Sequence, residues 1–217
     1  MFVPTVAEAK LPTTWDNLVK IDSKRLQAVY ILPDADFRPY TKVMLDPAEV
    51  AFQKNWQRDY NSSTGLYGGL SRRITDKDAS EIAKLARDGF DSVMAKAYTK
   101  AGYQVVTTPG PDVLRIISGV INLSIRAPDT GAGRSRSYSA EAGEATVIIE
   151  ARDSLTNAIL GRAADLREAG DLPGQRTSAT NRADFLELFE DWANASVRGL
   201  NELKAISPVD TDGLTRR

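Results

Sequence analysis

The chain has 217 residues, a length that suits one domain or one domain with extensions, and its 42% hydrophobic and 26% charged residues are typical of a globular protein. A chain of this length buries roughly 70% of its unfolded surface, enough for a core without disulfides or metal. It contains neither cysteine nor histidine, which excludes disulfides, thiolate nucleophiles, zinc sites with Cys or His ligands, and Ser-His-Asp triads. The formal net charge of −1 argues against a phosphate-neutralising surface, so we expect no nucleic-acid partner.

The chemistry that remains open is narrow. Carboxylates, a Lys or Tyr base, or an ion with oxygen ligands such as calcium are what this composition leaves for catalysis or metal binding. No apolar run approaches the ~20 residues of a membrane-spanning helix, and no signal peptide begins the sequence. The first residues look like a trimmed beginning, so we expect any targeting segment to have been removed.

The first part of the chain predicts an extended arm followed by a short strand. Residues 1–22 carry Pro4 and Pro12 and are interpreted as the arm, with a helical turn around residues 15–19. The β-rich run 28–32 predicts the strand, because Pro33 closes it.

A second strand and a long loop are expected next. Residues 42–52 predict a strand whose apolar phase slips by one residue at Asp46-Pro47, so a bulge or an edge-strand kink is expected there. Residues 53–73 are polar and contain Gly65, Gly68 and Gly69, and are therefore predicted as a loop.

Residues 76–101 carry the clearest helical pattern in the chain. Thr75 is the predicted N-cap, with Asp78 completing a capping box, and Gly102 is the predicted C-terminal stop. Residues 103–107 then predict a strand. The apolar stripe of this central helix must pack on a neighbour, and its members are Ala79, Ile82, Ala83, Ala86, Phe90, Val93, Met94 and Ala97.

The second half of the chain reads mainly as β-structure. Residues 113–126 predict a long strand with a bend at Gly119, apolar on both faces in its first half and on one face in its second. Residues 127–143 are predicted as a loop. Residues 144–152 and 158–166 form the clearest β-hairpin in the sequence.

The order of elements predicts an α+β fold. A last helix is expected from Asn181 to about residue 203, and the order β-β-α-β-β-β-β-α indicates one twisted, mostly antiparallel (mixed) sheet with two helices packed on one face. A parallel crossover is expected from residues 42–52 over the central helix to the strand that follows it. The predicted domains are an N-terminal arm at 1–22, a single α+β domain at 23–206 and a flexible C-terminal tail at 207–217.

Asp46 and Glu49 form the first candidate site. Two carboxylates three residues apart can act as a general acid and base or hold an ion. In the alternative interpretation, Asp46 caps a turn beside Pro47 and Glu49 is solvated. We favour the alternative, because a hydrolase needs a second constellation nearby and the sequence contains none that we can identify.

Three loops supply the other candidates. Residues 65–73 precede a helix and could bind phosphate, but they lack a Gly-Lys-Ser/Thr ending and are interpreted as a linker. Arg134 and Arg136 could contact anionic lipid or lipopolysaccharide, although two charges contribute only about 1 kcal/mol each. Residues 153–157 could hold calcium, but a turn stabilised by Asp and Asn side chains explains them. The sequence thus predicts no catalytic, cofactor or metal site, and leaves Asp46, Glu49, Arg134 and Arg136 as candidates for interaction.

Four stretches together resemble one bacterial family. They are residues 40–52 (YTKVMLDPAEVAF), 102–106 (GYQVV), 110–115 (GPDVLR) and 143–160 (GEATVIIEARDSLTNAIL). The set resembles the domain of unknown function 3313, a family of bacterial envelope lipoproteins, over residues 15–203. In such proteins a signal peptide and a lipidated Cys precede the domain, so the resemblance implies the periplasm or the outer membrane. It implies no established activity and no functional residue.

We therefore expect a non-enzymatic module of the cell envelope. Its partner would be an envelope protein, the envelope surface or a second copy of the chain, with no cofactor and with membrane attachment only through a lipid anchor outside this sequence. The alternative is a periplasmic protein that binds a small ligand or lipid in a cleft between helices and sheet, since the strand at 113–126 is apolar on both faces in its first half. A carboxylate-dependent enzyme ranks third.

Overall fold

The computed structural model describes residues 12–66, 73–126, 137–139, 142–170, 174–176 and 178–215. The helices in this part of the chain are α1 (Trp56–Leu66), α2 (Asp76–Lys100) and α3 (Ser178–Ile206), followed by a 3-10 turn at Asp212–Leu214. The strands are β1 (Thr14–Trp15), β2 (Leu18–Ile21), β3 (Ala28–Ile31), β4 (Lys42–Leu45), β5 (Glu49–Phe52), β6 (Gln104–Val105), β7 (Val113–Ile125), β8 (Ser137–Ser139), β9 (Gly143–Asp153), β10 (Ile159–Ala169) and β11 (Gly174–Arg176).

One mixed sheet of nine strands dominates the fold. Its order is β1-β2-β3-β10-β9-β7-β4-β6, and β5 pairs with β7 farther along that strand than β4 does. Strand β4 is parallel to β6 and β7, β5 is parallel to β7, and the other pairs of this sheet are antiparallel. The predicted α+β class with a mostly antiparallel mixed sheet is thus confirmed. Strands β8 and β11 pair as a separate small sheet. Strand β8 lies in the segment 127–143 that the sequence predicted as a loop, so that prediction is wrong there.

Helices α2 and α3 pack together on one face of the large sheet, as predicted. One continuous core joins Phe90 and Tyr98 of α2 and Phe189 and Trp192 of α3 to strand residues that include Val43, Leu114, Val120 and Val147. We call the opposite face the outer face; register places Arg115, Ile117, Ile148, Glu150 and Leu166 on it.

The local signals around α2 are confirmed in detail. The backbone N–H of Asp78 donates to Thr75 Oγ1 at 3.2 Å, and the N–H of Thr75 donates to Asp78 Oδ2 at 2.8 Å, which is the predicted capping box. Gly102 follows the helix with φ of 91°, a conformation that favours glycine. Because β4 and β6 are parallel and α2 lies between them in the chain, the predicted crossover is also present.

Two irregularities of the strands have different outcomes. The interruption between β4 and β5 falls at Asp46-Pro47, where the phase slip was predicted. The bend predicted at Gly119 is wrong, because β7 passes through Gly119 in regular register and shifts instead between Ile121 and Ser124, where Asn122 has φ of 52°. The extra residue reverses the alternation of side chains along β7, so the apolar side chains move to the opposite face of the strand from there on.

The described part of the predicted N-terminal arm belongs to the sheet. Strands β1 and β2 form a hairpin, and β2 pairs with β3. Asp16 and Asn17 have φ of 52° and 64°, as a two-residue type I′ turn requires, so the helical turn predicted at 15–19 is wrong. Leu18 and Ile21 are buried, which attaches this segment to the domain body.

Helix α1 lies in a segment that was predicted as a loop. Its sequence is polar, and its few large apolar side chains include Trp56 and Tyr60, one turn apart. Trp56 stacks on Phe52 with ring centroids 4.3 Å apart and packs with Ile74 in a small satellite core. Tertiary packing of one tryptophan therefore stabilises a helix that has almost no hydrophobic pattern.

The C-terminal segment is packed as far as residue 215. Val209 is fully buried, its N–H donates to the Ala35 oxygen, and its own oxygen accepts from the Asp34 N–H, both at 3.0 Å. The prediction of a flexible tail from residue 207 is therefore wrong over the described residues. Helix α3 also begins at Ser178, three residues before the predicted start at Asn181.

Candidate functional site

Asp46 and Glu49 do not form a catalytic pair. Asp46 accepts a two-pronged ion pair from Arg115, with Nε–Oδ1 at 3.1 Å and Nη2–Oδ2 at 2.6 Å. Glu49 is exposed at the start of β5, and no hydrogen bond or ion pair joins it to Asp46 or Arg115 within the described residues. Both carboxylate oxygens of Asp46 are engaged by the Arg115 guanidinium, so the geometry favours a structural role for Asp46.

The loop candidates have separate outcomes. Arg134 and Arg136 lie outside the described residues, as does most of the glycine-rich segment.

In the turn after β9, Asp153 Oδ1 accepts from the N–H groups of Leu155 and Thr156, and Oδ2 accepts from the hydroxyl of Tyr40 at 2.9 Å. These bonds explain the turn without a metal. Across the described residues, no group of three or more acidic side chains is arranged to hold an ion.

A row of ion pairs crosses the outer face, and the sequence did not predict it. Glu150 accepts from Arg152 and Arg162. Arg162 also pairs with Asp16, with Nη1–Oδ2 at 2.8 Å, and its Cζ lies 4.0 Å from the ring centroid of Trp15. Burial raises the pKa of Glu150, but the hydrogen bonds from the two arginines outweigh it, so the pKa lies below its ordinary value. The alternation of strands β7, β9 and β10 is the signal that could have placed these residues on one face.

A cavity of about 410 Å³ lies between α3 and the sheet, and we call it the α3 cavity. Ile31, Ile116 and Ile149 line its sheet side, and Ser196, Gly199 and Leu203 line its helix side. The volume and the mainly apolar lining are those of a small-molecule pocket, which typically measures ~300–1,000 Å³.

Small residues on both walls create this space. A Cβ on Gly199 would meet nothing within 4 Å. Ala195 and Ser196 lie one turn earlier on α3, and Ala151 and Ala163 face them from the sheet. Large side chains at these positions would fill the gap between the helix and the sheet, and the small ones leave it open.

A pair of hydroxyl groups lies in the wall of the cavity. The hydroxyls of Tyr98 and Ser196 are 2.7 Å apart and hydrogen-bond each other. Burial raises the pKa of Tyr98 to about 12, so its hydroxyl stays neutral near pH 7. A neutral hydroxyl pair can orient a ligand, but it includes no base that would activate a nucleophile.

Charged residues surround the mouth of the cavity. The segment between β2 and β3 supplies Lys24 and Arg25, and α3 supplies Glu202. Arg25 and Glu202 form an ion pair across the mouth, with Nη2–Oε1 at 2.8 Å and Nη1–Oε2 at 3.1 Å. On another side, the N–H of Asp22 donates to the oxygen of Leu214, so the C-terminal segment forms part of the wall.

None of the described helices is both long and apolar enough to cross a membrane. The model of the family described as "protein of unknown function (DUF3313)" matches residues 10–196, and the chain belongs to this family, as its four motif stretches predicted. No curated protein matches the chain.

Several solved structures are similar to the chain at low identity. A PelC dodecamer from Paraburkholderia phytofirmans is 12% identical over 84% of this chain and 97% of its own, with a TM-score of 0.36. Protein XCC0632 from Xanthomonas campestris, with the family model DUF330, is 11% identical over 81% and 91%, with a TM-score of 0.44. A neuraminyllactose-binding hemagglutinin homolog from Helicobacter pylori is 11% identical over 78% and 86%, with a TM-score of 0.34. Similarities at this level assign neither assembly nor ligand to this chain.

Proposed function

We propose that this member of a family of unknown function is a non-enzymatic binding module of the bacterial cell envelope, and that it binds a small apolar ligand in the α3 cavity. The observation that carries the proposal is the cavity itself. Aliphatic side chains of the sheet and small residues of α3 enclose about 410 Å³, and a neutral hydroxyl pair lies in the wall. Such a site suits the binding of an apolar molecule with few polar groups.

The non-enzymatic part of the proposal rests on the side chains available. Histidine and cysteine are absent from the sequence. Asp46 is held by Arg115, and Asp153 is held by its own turn and by Tyr40. Neither carboxylate lines the α3 cavity. An envelope address is proposed from the family resemblance alone, with membrane attachment through a lipid anchor outside this sequence.

Binding of a fluorescent apolar probe, N-phenylnaphthylamine, tests whether the cavity takes up an apolar ligand. Gly199→Phe places a large side chain where a Cβ meets nothing, so we expect the variant to bind the probe at least about tenfold more weakly, a change of about 1.4 kcal/mol. Asn194→Phe is the matched control, because Asn194 is an exposed α3 residue that does not line the cavity. Equal probe binding by Gly199→Phe and the wild type would overturn the proposal.

The outer face supports a second candidate function, the binding of an envelope protein or a second copy of the chain. Its central strands carry Ile117, Ile121 and Ile148 half-buried and Leu166 46% exposed, opposite the face covered by α2 and α3. An apolar patch beside a row of charges is typical of interaction surfaces. Sedimentation of the wild type and of Leu166→Glu tests self-association: an assembly that the variant dissolves supports it, and a monomer in both cases excludes it.

A further inference from the structure

The charges of the α3 cavity are confined to its mouth. Its interior wall is formed by aliphatic, aromatic and small side chains and by the Tyr98–Ser196 hydroxyl pair. Arg162 also touches the cavity, but its guanidinium is engaged by Glu150 and Asp16 on the outer face. A charge on a ligand can therefore be accommodated only where the cavity opens to solvent, because burial of an unpaired charge is costly.

The segment between β2 and β3 presents a cation at that opening. Ser23 Oγ accepts from the N–H groups of Arg25 and Leu26, both at 3.2 Å, and this turn leaves Lys24 exposed at the rim. Among the described residues Lys24 forms no ion pair, whereas Glu202 is engaged by Arg25 and Asp22 has its own partner. Lys24 is thus a cation at the mouth that no carboxylate of the described residues engages.

We infer that the ligand of the α3 cavity is a single-chain amphiphile with an anionic headgroup. The aliphatic chain lies between α3 and the sheet. The cavity volume of about 410 Å³ holds roughly a dozen groups the size of a water molecule or a methylene. The headgroup, a carboxylate or a phosphate, lies against Lys24 and shares Arg25 with Glu202. The inference rests on the proposed function, since it names the class of ligand for the same cavity.

Calorimetric titration of the full chain tests the inference. The titrants are dodecanoate and lyso-phosphatidylglycerol below their critical micelle concentrations, and uncharged dodecanol below its solubility limit. We expect both anionic amphiphiles to bind about tenfold more tightly than dodecanol, which corresponds to one charge-assisted contact. The double variant Lys24→Gln/Arg25→Gln should lose that preference and keep its affinity for dodecanol. A preference for only one of the two anions identifies the headgroup.

Glu202→Gln provides the sharper test, because it removes the carboxylate that competes with the ligand for Arg25. We expect this variant to bind dodecanoate severalfold more tightly than the wild type and to bind dodecanol unchanged. A merely structural role of the Arg25–Glu202 pair would lower both affinities or leave both the same.

The outcomes separate the two proposals. If dodecanol and dodecanoate bind equally and Gly199→Phe abolishes both, the cavity binds apolar ligands and the inference about the headgroup is wrong. If no amphiphile binds, or if Gly199→Phe binds them as the wild type does, the proposed function fails and the inference fails with it. Circular dichroism melting of each variant establishes that it is folded.

Discussion

Arg115 of β7 and Arg152 of β9 lie directly opposite each other in the antiparallel ladder, and both donate to Asn157 in the turn after β9. Like charges in this position destabilise a sheet unless neighbouring groups compensate for them. Here Asp46 pairs with Arg115 and Glu150 pairs with Arg152. The arrangement is balanced in charge and attaches the β9–β10 turn to the adjoining ends of β7 and β9. This accounts for Asp46 more simply than a catalytic role does.

Replacing Arg115 by Ala should lower the free energy of unfolding by about 1 kcal/mol, because it leaves the partly shielded Asp46 without its two-pronged partner. Arg115→Lys should restore less than half of the loss, since an ammonium cannot reproduce the paired geometry. Urea denaturation measures both. Arg38→Ala breaks an exposed ion pair and serves as the control that should leave stability unchanged. No effect of Arg115→Ala would contradict the structural role.

Glu150 should make the protein sensitive to acid. Its pKa in the folded protein lies below the ordinary value of 4.5, because the arginine hydrogen bonds outweigh the effect of burial. A lowered carboxyl pKa supplies stability that is present above the ordinary pKa and is lost as the pH falls through the folded pKa. In urea denaturation at a series of pH values, Glu150→Gln should therefore be less stable than the wild type at neutral pH and should lose less stability on acidification. Parallel pH profiles would show that Glu150 contributes nothing to the acid sensitivity.

Two glycines should respond in opposite directions to the same change. Gly199→Ala should raise the free energy of unfolding by about 1 kcal/mol, because alanine favours the helix and its Cβ meets nothing within 4 Å. Gly161→Ala should destabilise the protein, because a Cβ there would lie 2.9 Å from Ile31 Cδ1 and 3.3 Å from the Tyr30 oxygen. Thermal denaturation of the two variants compares them directly. A destabilising Gly199→Ala would indicate that the space beside α3 is filled in solution by the protein itself.

The C-terminal segment should contribute to global stability. Val209→Ala removes two fully buried methyl groups, and we expect a loss of about 1–2 kcal/mol in the free energy of unfolding. Leu155→Ala is the control, because Leu155 is 59% exposed in a turn. Equal stability of the two variants would show that residues 207–215 do not contribute to the free energy of unfolding.

Local sequence signals predicted the elements that form from neighbouring residues. Thr75 and Asp78 cap α2, the slip at Asp46-Pro47 separates β4 from β5, and alternation identified the hairpin of β9 and β10. Elements stabilised by distant contacts were missed. Helix α1 depends on the packing of Trp56, and the C-terminal segment depends on Val209, and neither residue produces a periodic pattern.

The candidate site was predicted only in outline. A cleft between helices and sheet was one of the two functional alternatives, but its position follows from small residues of α3 lying opposite small residues of β9 and β10. That match depends on the angle and height at which the helix crosses the sheet, which the sequence does not encode locally. Ala195, Ser196 and Gly199 were the available signal, since they interrupt the large apolar side chains of the helix.

Native mass spectrometry of the protein released gently from bacterial envelopes tests the central claim most directly. The wild type should carry one small molecule of defined mass, and Gly199→Phe, prepared in parallel, should carry none. Collisional activation should release the molecule and allow its headgroup to be identified. Identical ligand-free masses for the wild type and Gly199→Phe, or the same molecule retained by both, would contradict the assignment of the α3 cavity as a binding site.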